Sequence, residues 1–403
     1  MGRCSPAPIR AACRATLPGG DATGDTLGVT ADTPGRRLAT RLAFLAAGFG
    51  MACWAPLVPY AKARLGADDA LVGLLLLCFG LGSVVSMPVT GGLTGRIGSR
   101  PMILLGGAGL CLVLPLLAAV GHPAGLAVAL LLFGAALGSI DVAMNVHAVE
   151  VERAAPVPLM SGFHALFSLG GILGAGGMSG LLALGVAPVA AAGAGAAAIA
   201  VALLVAAPLL SRSRAAAGIA FLARPRGFVL LLGGLAFAAF LMEGAMLDWG
   251  ALLLTQSHGL PAAQGGLGYA VFSAAMTLGR LTGDRITARA GPRRVLFWGG
   301  LLAIFGIAVL LLAPVPLVAL SGFLLIGLGG ANLVPVLFSA AGRQRAMPPG
   351  LAIAAMTTIG YAGVLAGPGL LGFVAQWAGL PAAFALLAVL MLAVPAAARI
   401  AAR

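Results

Sequence analysis

Twelve times between residues 39 and 398 the chain runs for about twenty residues with almost no charge, while arginines and turn residues gather between the runs. A helix needs about that length to cross the roughly 30 Å hydrocarbon core of a bilayer. In lipid every backbone N–H and C=O must be paired within its own segment, so such runs must be helical. They span 39–60, 71–93, 101–120, 124–147, 159–182 and 188–210, then 228–254, 264–283, 294–313, 316–340, 350–377 and 380–398. At 61% hydrophobic and 9% charged residues the chain is too apolar for a water-soluble protein, where charge runs at about 25%. The expected class is an all-α membrane protein of twelve transmembrane helices.

The basic residues set the orientation. With the N-terminus inside, 22 of the 24 Lys and Arg residues fall on the inner side, Arg280 being counted at a helix end; Lys62 and Arg64 alone fall outside. By the positive-inside rule both termini are cytoplasmic, in an inner or plasma membrane. The net charge of +13 invites a nucleic-acid reading, but no soluble segment is long enough to carry a basic face. Ser211–Gly227, with Arg212, Arg214, Arg224 and Arg226, is a cytoplasmic linker between six-helix halves at 38–210 and 228–403. Residues 1–37 read as a disordered cytoplasmic tail; an early start codon is an alternative, and Arg3, Arg10 and Arg14 faintly resemble a targeting peptide. Cys53, Cys78 and Cys111 lie in apolar runs without metal-ligand spacing and read as small packing residues.

Gly80, Gly91 and Gly95 recur 188 residues later as Gly268, Gly279 and Gly283. Two halves related by a parallel repeat imply a solute site between them near the membrane midplane. Against that frame the intramembrane polar residues stand out. Asp141 lies well inside the fourth span, where a charge costs roughly 2.5–3.5 kcal/mol, and Asn145 shares its helix face one turn on. Glu243 falls beyond mid-depth in the seventh span, with Asp248 on another face near the outer edge. Asp141, Asn145, Glu243, Asn332, Trp54 and His164 are therefore the candidate solute- and proton-binding residues. Each has a structural alternative: packing for Trp54, a helix bridge for Asn332, an ion pair with Arg64 or Lys62 for Glu243. His147 and His164 lack Cys or acidic partners at metal spacing, so neither metal nor cofactor is expected. His147, Glu150, Glu152 and Arg153 read as gate or loop residues. The single lysine, Lys62, excludes a Walker A loop, and catalytic signatures are absent. This leaves ion-driven or facilitated transport rather than an enzyme.

The two glycine-rich loops, GGLTGRIGSRP (Gly91–Pro101) and GRLTGDRITARAGPRR (Gly279–Arg294), resemble the cytoplasmic signature of the major facilitator superfamily, and the likeness extends from residue 38 to the end. The resemblance implies a cytoplasmic latch in which an acid caps a helix end and pairs with arginines. It would use Arg96, Arg100, Arg280, Asp284, Arg285 and Arg293; the first copy has Gly95 where the acid is expected. Asp141 and Asn145, followed by Phe163, His164, Phe167, Ser168, Gly170 and Ile172, resemble the fucose-permease branch. Two departures are His164 and Phe167 in place of amides and a first span without a carboxylate. The EGAMLDW stretch is similar to an inner-membrane subgroup of no assigned substrate. Together these imply a monomeric, proton-coupled transporter of a small polar solute, a sugar being one candidate, by alternating access. Alternatives are a proton-driven exporter of amphipathic compounds and a non-transporting receptor.

Overall fold

The computed structural model describes residues 33–67, 69–211, 225, 227–260 and 267–402, and over that range the chain forms sixteen α-helices. In order they are α1 Pro34–Trp54, α2 Val58–Leu65, α3 Asp69–Ile97, α4 Ser99–Ala119, α5 Pro123–Ala154, α6 Met160–Ala183 and α7 Pro188–Ala206 in the first half. The second half holds α8 Phe228–Asp248, α9 Gly250–His258, α10 Leu267–Ala290, α11 Pro292–Leu312, α12 Pro316–Gly330, α13 Leu333–Arg343, α14 Pro349–Ala378, α15 Leu380–Met391 and α16 Ala393–Ala401. The sixteen helices make twelve spans, four of them broken: α1–α2, α8–α9, α12–α13 and α15–α16. Eleven spans are long and apolar enough to cross a membrane. The twelfth, α10, is made more polar by Arg280, Asp284, Arg285 and Arg289.

Residues 34–37, expected in the tail, are instead the first turn of α1. Pro34 begins that turn with a preset φ, and the Thr33 hydroxyl accepts a hydrogen bond from the Arg36 amide. The rest of the expected tail, 1–32, and the linker residues 212–224 and 226 lie outside the described residues. The first span bends as its prolines require, through a short 3₁₀ turn at Ala55–Leu57. Arg64 at the end of α2 donates to the carbonyls of Leu117, Ala118 and Val120, satisfying the unpaired C-terminus of α4. It is thus unavailable to Glu243. The fourth span runs seven residues further than its apolar stretch, because nothing in VHAVEVER stops a helix before Pro156.

Glycine sets how closely the helices approach. A side chain at Gly82 or Gly134 would overlap the Leu131 and Phe79 carbonyls, so α3 and α5 cross nearly backbone to backbone. Gly98 and Gly291 precede α4 and α11 with φ of 91° and 79°, a left-handed turn repeated at equivalent places in the two halves. Both turns lie at the arginine-rich end of the bundle.

Between halves, α3 packs along α14 and α6 along α10. The α3–α14 seam extends from Gly91, against Ala354 and Gly350, to Gly80, against Leu365. That is about 16 Å of helix, closing the bundle from the arginine-rich end to mid-depth.

Candidate functional site

Asp141 sits in the middle of α5 at 6% exposure. The Asn145 amide donates to its carboxylate at 3.3 Å and to its main-chain carbonyl at 2.9 Å. From the other half, Tyr361 of α14 brings its phenol to the same carboxylate. Phe240 of α8 braces the Tyr361 ring edge-to-face at a centroid distance of 5.5 Å. No ion pair reaches Asp141 among the described residues.

The second acid is paired. Glu243 Oε1 lies 3.2 Å from an Arg280 guanidinium nitrogen, with Arg280 buried and Glu243 partly exposed. Arg280 also donates to Ser168 Oγ on α6 at 2.8 Å and, through Nε, to the Ala331 carbonyl at 3.3 Å. That last acceptor has a local cause. Pro335 is four residues after Ala331 and has no N–H to return to it, so the break in the tenth span leaves a free carbonyl that Arg280 occupies. Arg280 therefore joins three helices of its own half to α6 of the other. The sequence places Arg280 with the latch at a helix end; α10 instead continues ten residues past it to Ala290, and the side chain carries its charge to Glu243. Tyr361 lies within electrostatic reach of both Asp141 and Glu243, linking the two clusters.

The other expected site residues fall elsewhere. Asn332 is buried at the break between α12 and α13, and its amide donates to the Gly279 carbonyl on α10, which makes it a helix bridge. Trp54 is buried within the first half, lining a small apolar cavity with Val58, Ala61, Leu75 and Leu126. His164 is wedged between Phe44 of the first half and Phe338 of α13, at 5.1 and 5.3 Å, an aromatic stack between the acids and the arginine-rich end.

At that end the first turn of α6 presents four amides, and two carboxylates take all four. Glu152 Oε2 accepts from Leu159 and Met160 at 2.9 and 2.8 Å. Asp284, from the second half, accepts from Ser161 and Gly162 at 2.9 and 2.8 Å. Carboxylates are favoured at a helix N-terminus, and charge-assisted bonds are the strong kind. The other Glu152 oxygen accepts from Ser339 Oγ of α13 and lies 3.8 Å from Arg343. The resemblance implied arginine partners for Asp284. Here its hydrogen bonds are to backbone amides, while Arg96, Arg285 and Arg293 are exposed and Arg100 is partly so. In the first copy, with Gly95 for the acid, α14 begins at Pro349, which has no amide to offer, and Gly91 meets Gly350 backbone to backbone. Only the acid is missing: the second and third residues of α14, Gly350 and Leu351, still carry amides. Asp284→Ala removes two charge-assisted bonds and should raise maleimide labelling of Ser161→Cys at least tenfold over the same cysteine beside intact Asp284. Unchanged labelling would show that the seam closes without Asp284.

Tyr361 carries most of what sequence reading missed at mid-depth, while the sequence marks Ser168 only as part of the fifth-span pattern. Tyr361 sits in TTIGYAG, where no charge or spacing marks it. The free carbonyl that receives Arg280 was readable, since Pro335 announces it.

A family profile described as Major Facilitator Superfamily matches residues 41–349. An uncharacterised MFS-type transporter of Yersinia pestis is 52% identical over 366 residues, covering 90% of this chain and 95% of its own length. Among solved structures, the E. coli fucose:proton symporter superposes with a TM-score of 0.72 at 19% identity, covering 91% of this chain and 98% of its own. The human organic anion transporter MFSD10 superposes with a TM-score of 0.72 at 18% identity, covering 89% and 98%. At such identities these two structures speak to the fold alone.

Proposed function

The chain belongs to the Major Facilitator Superfamily and is a multi-pass membrane transporter rather than an enzyme, and we propose that it is a secondary active, proton-coupled carrier of a small polar solute that works by alternating access. The observation that carries this is the contrast between its two buried acids. Glu243 has Arg280 beside it, while Asp141 has only neutral donors, Asn145 and Tyr361. An uncompensated carboxylate at that depth needs a cation to cross the membrane interior, and a proton serves. The fucose:proton symporter couples a solute to protons by name, which adds weight to this reading.

In this arrangement the arginine-rich end is closed by Asp284, Glu152 and the α3–α14 seam. With that end cytoplasmic, the site is reached from outside, and inward opening must break the Ser168–Arg280 bond and separate Tyr361 from Asp141. Asp141 and Asn145 hold the proton and solute on the first half; Glu243 and Arg280 hold the solute on the second. The chain works as a monomer, with its inward turn gated by His164 and the latch.

The test is flux in proteoliposomes loaded with a pH-sensitive dye, using solutes first ranked by thermal shift. Symport predicts internal acidification when solute is added outside. Internal alkalinisation as solute enters, one proton leaving in exchange, would favour the exporter reading, which the same lone carboxylate supports for a cationic amphipath competing with the proton. Solute flux with no proton movement of either sign would sink coupling altogether.

A further inference from the structure

One buried histidine has no part in the site or the latch. His147 is wholly buried on α5, six residues beyond Asp141 and five before Glu152. At 1.5 Å per residue it lies about 9 Å from the first and about 7.5 Å from the second along the helix. Its two ring nitrogens are engaged by two different parts of the chain. Nε2 lies 3.0 Å from the Ser211 backbone nitrogen, which donates to it. Nδ1 lies 3.0 Å from Thr40 Oγ1 on α1. Ser211 is the first residue of the linker, and it is buried with Leu210 at the foot of α7.

The donor rules fix the protonation of this ring. A backbone amide only donates, so Nε2 must present a lone pair. A neutral imidazole with a free Nε2 carries its proton on Nδ1. That proton points at Thr40 Oγ1, whose own hydrogen goes to the Arg36 carbonyl at 2.8 Å. The result is a one-way chain, Ser211 N–H to His147, His147 to Thr40, Thr40 to Arg36, with each donor and acceptor used once. A second proton on the ring would set an N–H against the Ser211 N–H, and an apolar side chain would leave that buried amide without its acceptor.

We propose that His147 is a positioning residue: a neutral, Nδ1-protonated tether that ties the start of the inter-half linker and α1 to α5, between the carboxylate at mid-depth and the carboxylate at the latch. The role in transport rests on the function proposed above; the tether does not. Because α5 carries Asp141 at its centre and Glu152 at its end, this brace makes site and latch parts of one lever, and makes the linker move with the first half.

Two measurements on the full chain in detergent or nanodiscs test the tether without any solute. Solid-state ¹⁵N spectra of histidine-labelled protein, with His147 assigned by its loss in His147→Phe among the four histidines, should show it neutral and protonated at Nδ1. An Nε2–H tautomer or an imidazolium at neutral pH would overturn the proposal. In hydrogen exchange, the Ser211 amide should exchange at least tenfold faster in His147→Phe, while the Leu210 amide, bonded to the Ala206 carbonyl, keeps its rate. His147→Gln, which has one acceptor and one donor in a single plane, should restore most of the protection. Should His147→Phe fail to fold, Thr40→Val removes only the α1 arm and should raise Ser211 exchange by a smaller factor. Equal Ser211 protection in all variants would overturn the tether, leaving the proposed transport function untouched. Wild-type coupled flux in His147→Phe despite faster Ser211 exchange would instead count against the lever alone.

Discussion

Asp141→Asn should abolish accumulation driven by a pH gradient while leaving solute exchange between equal pools in place. The substitution is nearly isosteric, and the amide keeps the same place beside Tyr361. The Asn145 bond to the Asp141 main-chain carbonyl at 2.9 Å does not involve the side chain at all. Folding is thus spared, and the only group lost is the one that takes up a proton. The size of the effect follows from linkage. With one proton moved per solute, an inside-alkaline gradient of one pH unit supports at most about tenfold accumulation, equivalent to 1.36 kcal/mol. The variant should reach no accumulation at any gradient, whereas counterflow of labelled against unlabelled solute continues. Accumulation to the wild-type ratio in Asp141→Asn would place the coupling proton elsewhere, with Glu243 next in line.

Much of this arrangement is legible from residues alone, and the rest is hidden for identifiable reasons. The span count follows from lipid, which permits no unpaired backbone, so twenty apolar residues leave little choice. Asp141 announces itself because charge at that depth is expensive. Arg280 misleads for a geometric reason: its backbone lies four residues from Asp284 at the latch, yet its side chain is long enough to place the charge one helical layer deeper. Periodicity locates a Cα and not the end of an arginine. Tyr361 is silent in sequence because a phenol belongs as readily to packing as to hydrogen bonding. The seam against α14 is partly legible, since Gly95 replaces the acid that would have capped the first turn of α14. His147 looked like a helix-end residue only because the apolar run stops there, whereas the helix continues to Ala154.

Breaking the Arg280–Glu243 pair from one side should be more damaging than removing it whole. Arg280 is 7% exposed and bonded to Ser168, Ala331 and Glu243, so Glu243→Leu would strand a guanidinium that no residue can deprotonate. Removing one partner of a buried pair costs about 3–5 kcal/mol, mostly through the charge left behind. Glu243→Leu and Arg280→Met should each lower thermal stability strongly. The double substitution should recover most of that loss, because both charges and their desolvation leave together. Recovery of stability need not bring back transport. If the pair holds the solute, the double variant will fold, label normally at the latch and carry no solute, since Ser168 alone remains from that cluster. If the pair only fastens the halves together, the double variant will carry solute and switch faster, having lost the Ser168–Arg280 bond that inward opening must break. Stability in the three variants, read beside solute flux in the double one, therefore separates a binding pair from a fastening. A double variant no more stable than its singles would show that the Ala331 and Ser168 bonds, rather than the ion pair, hold α10, α12 and α6 together.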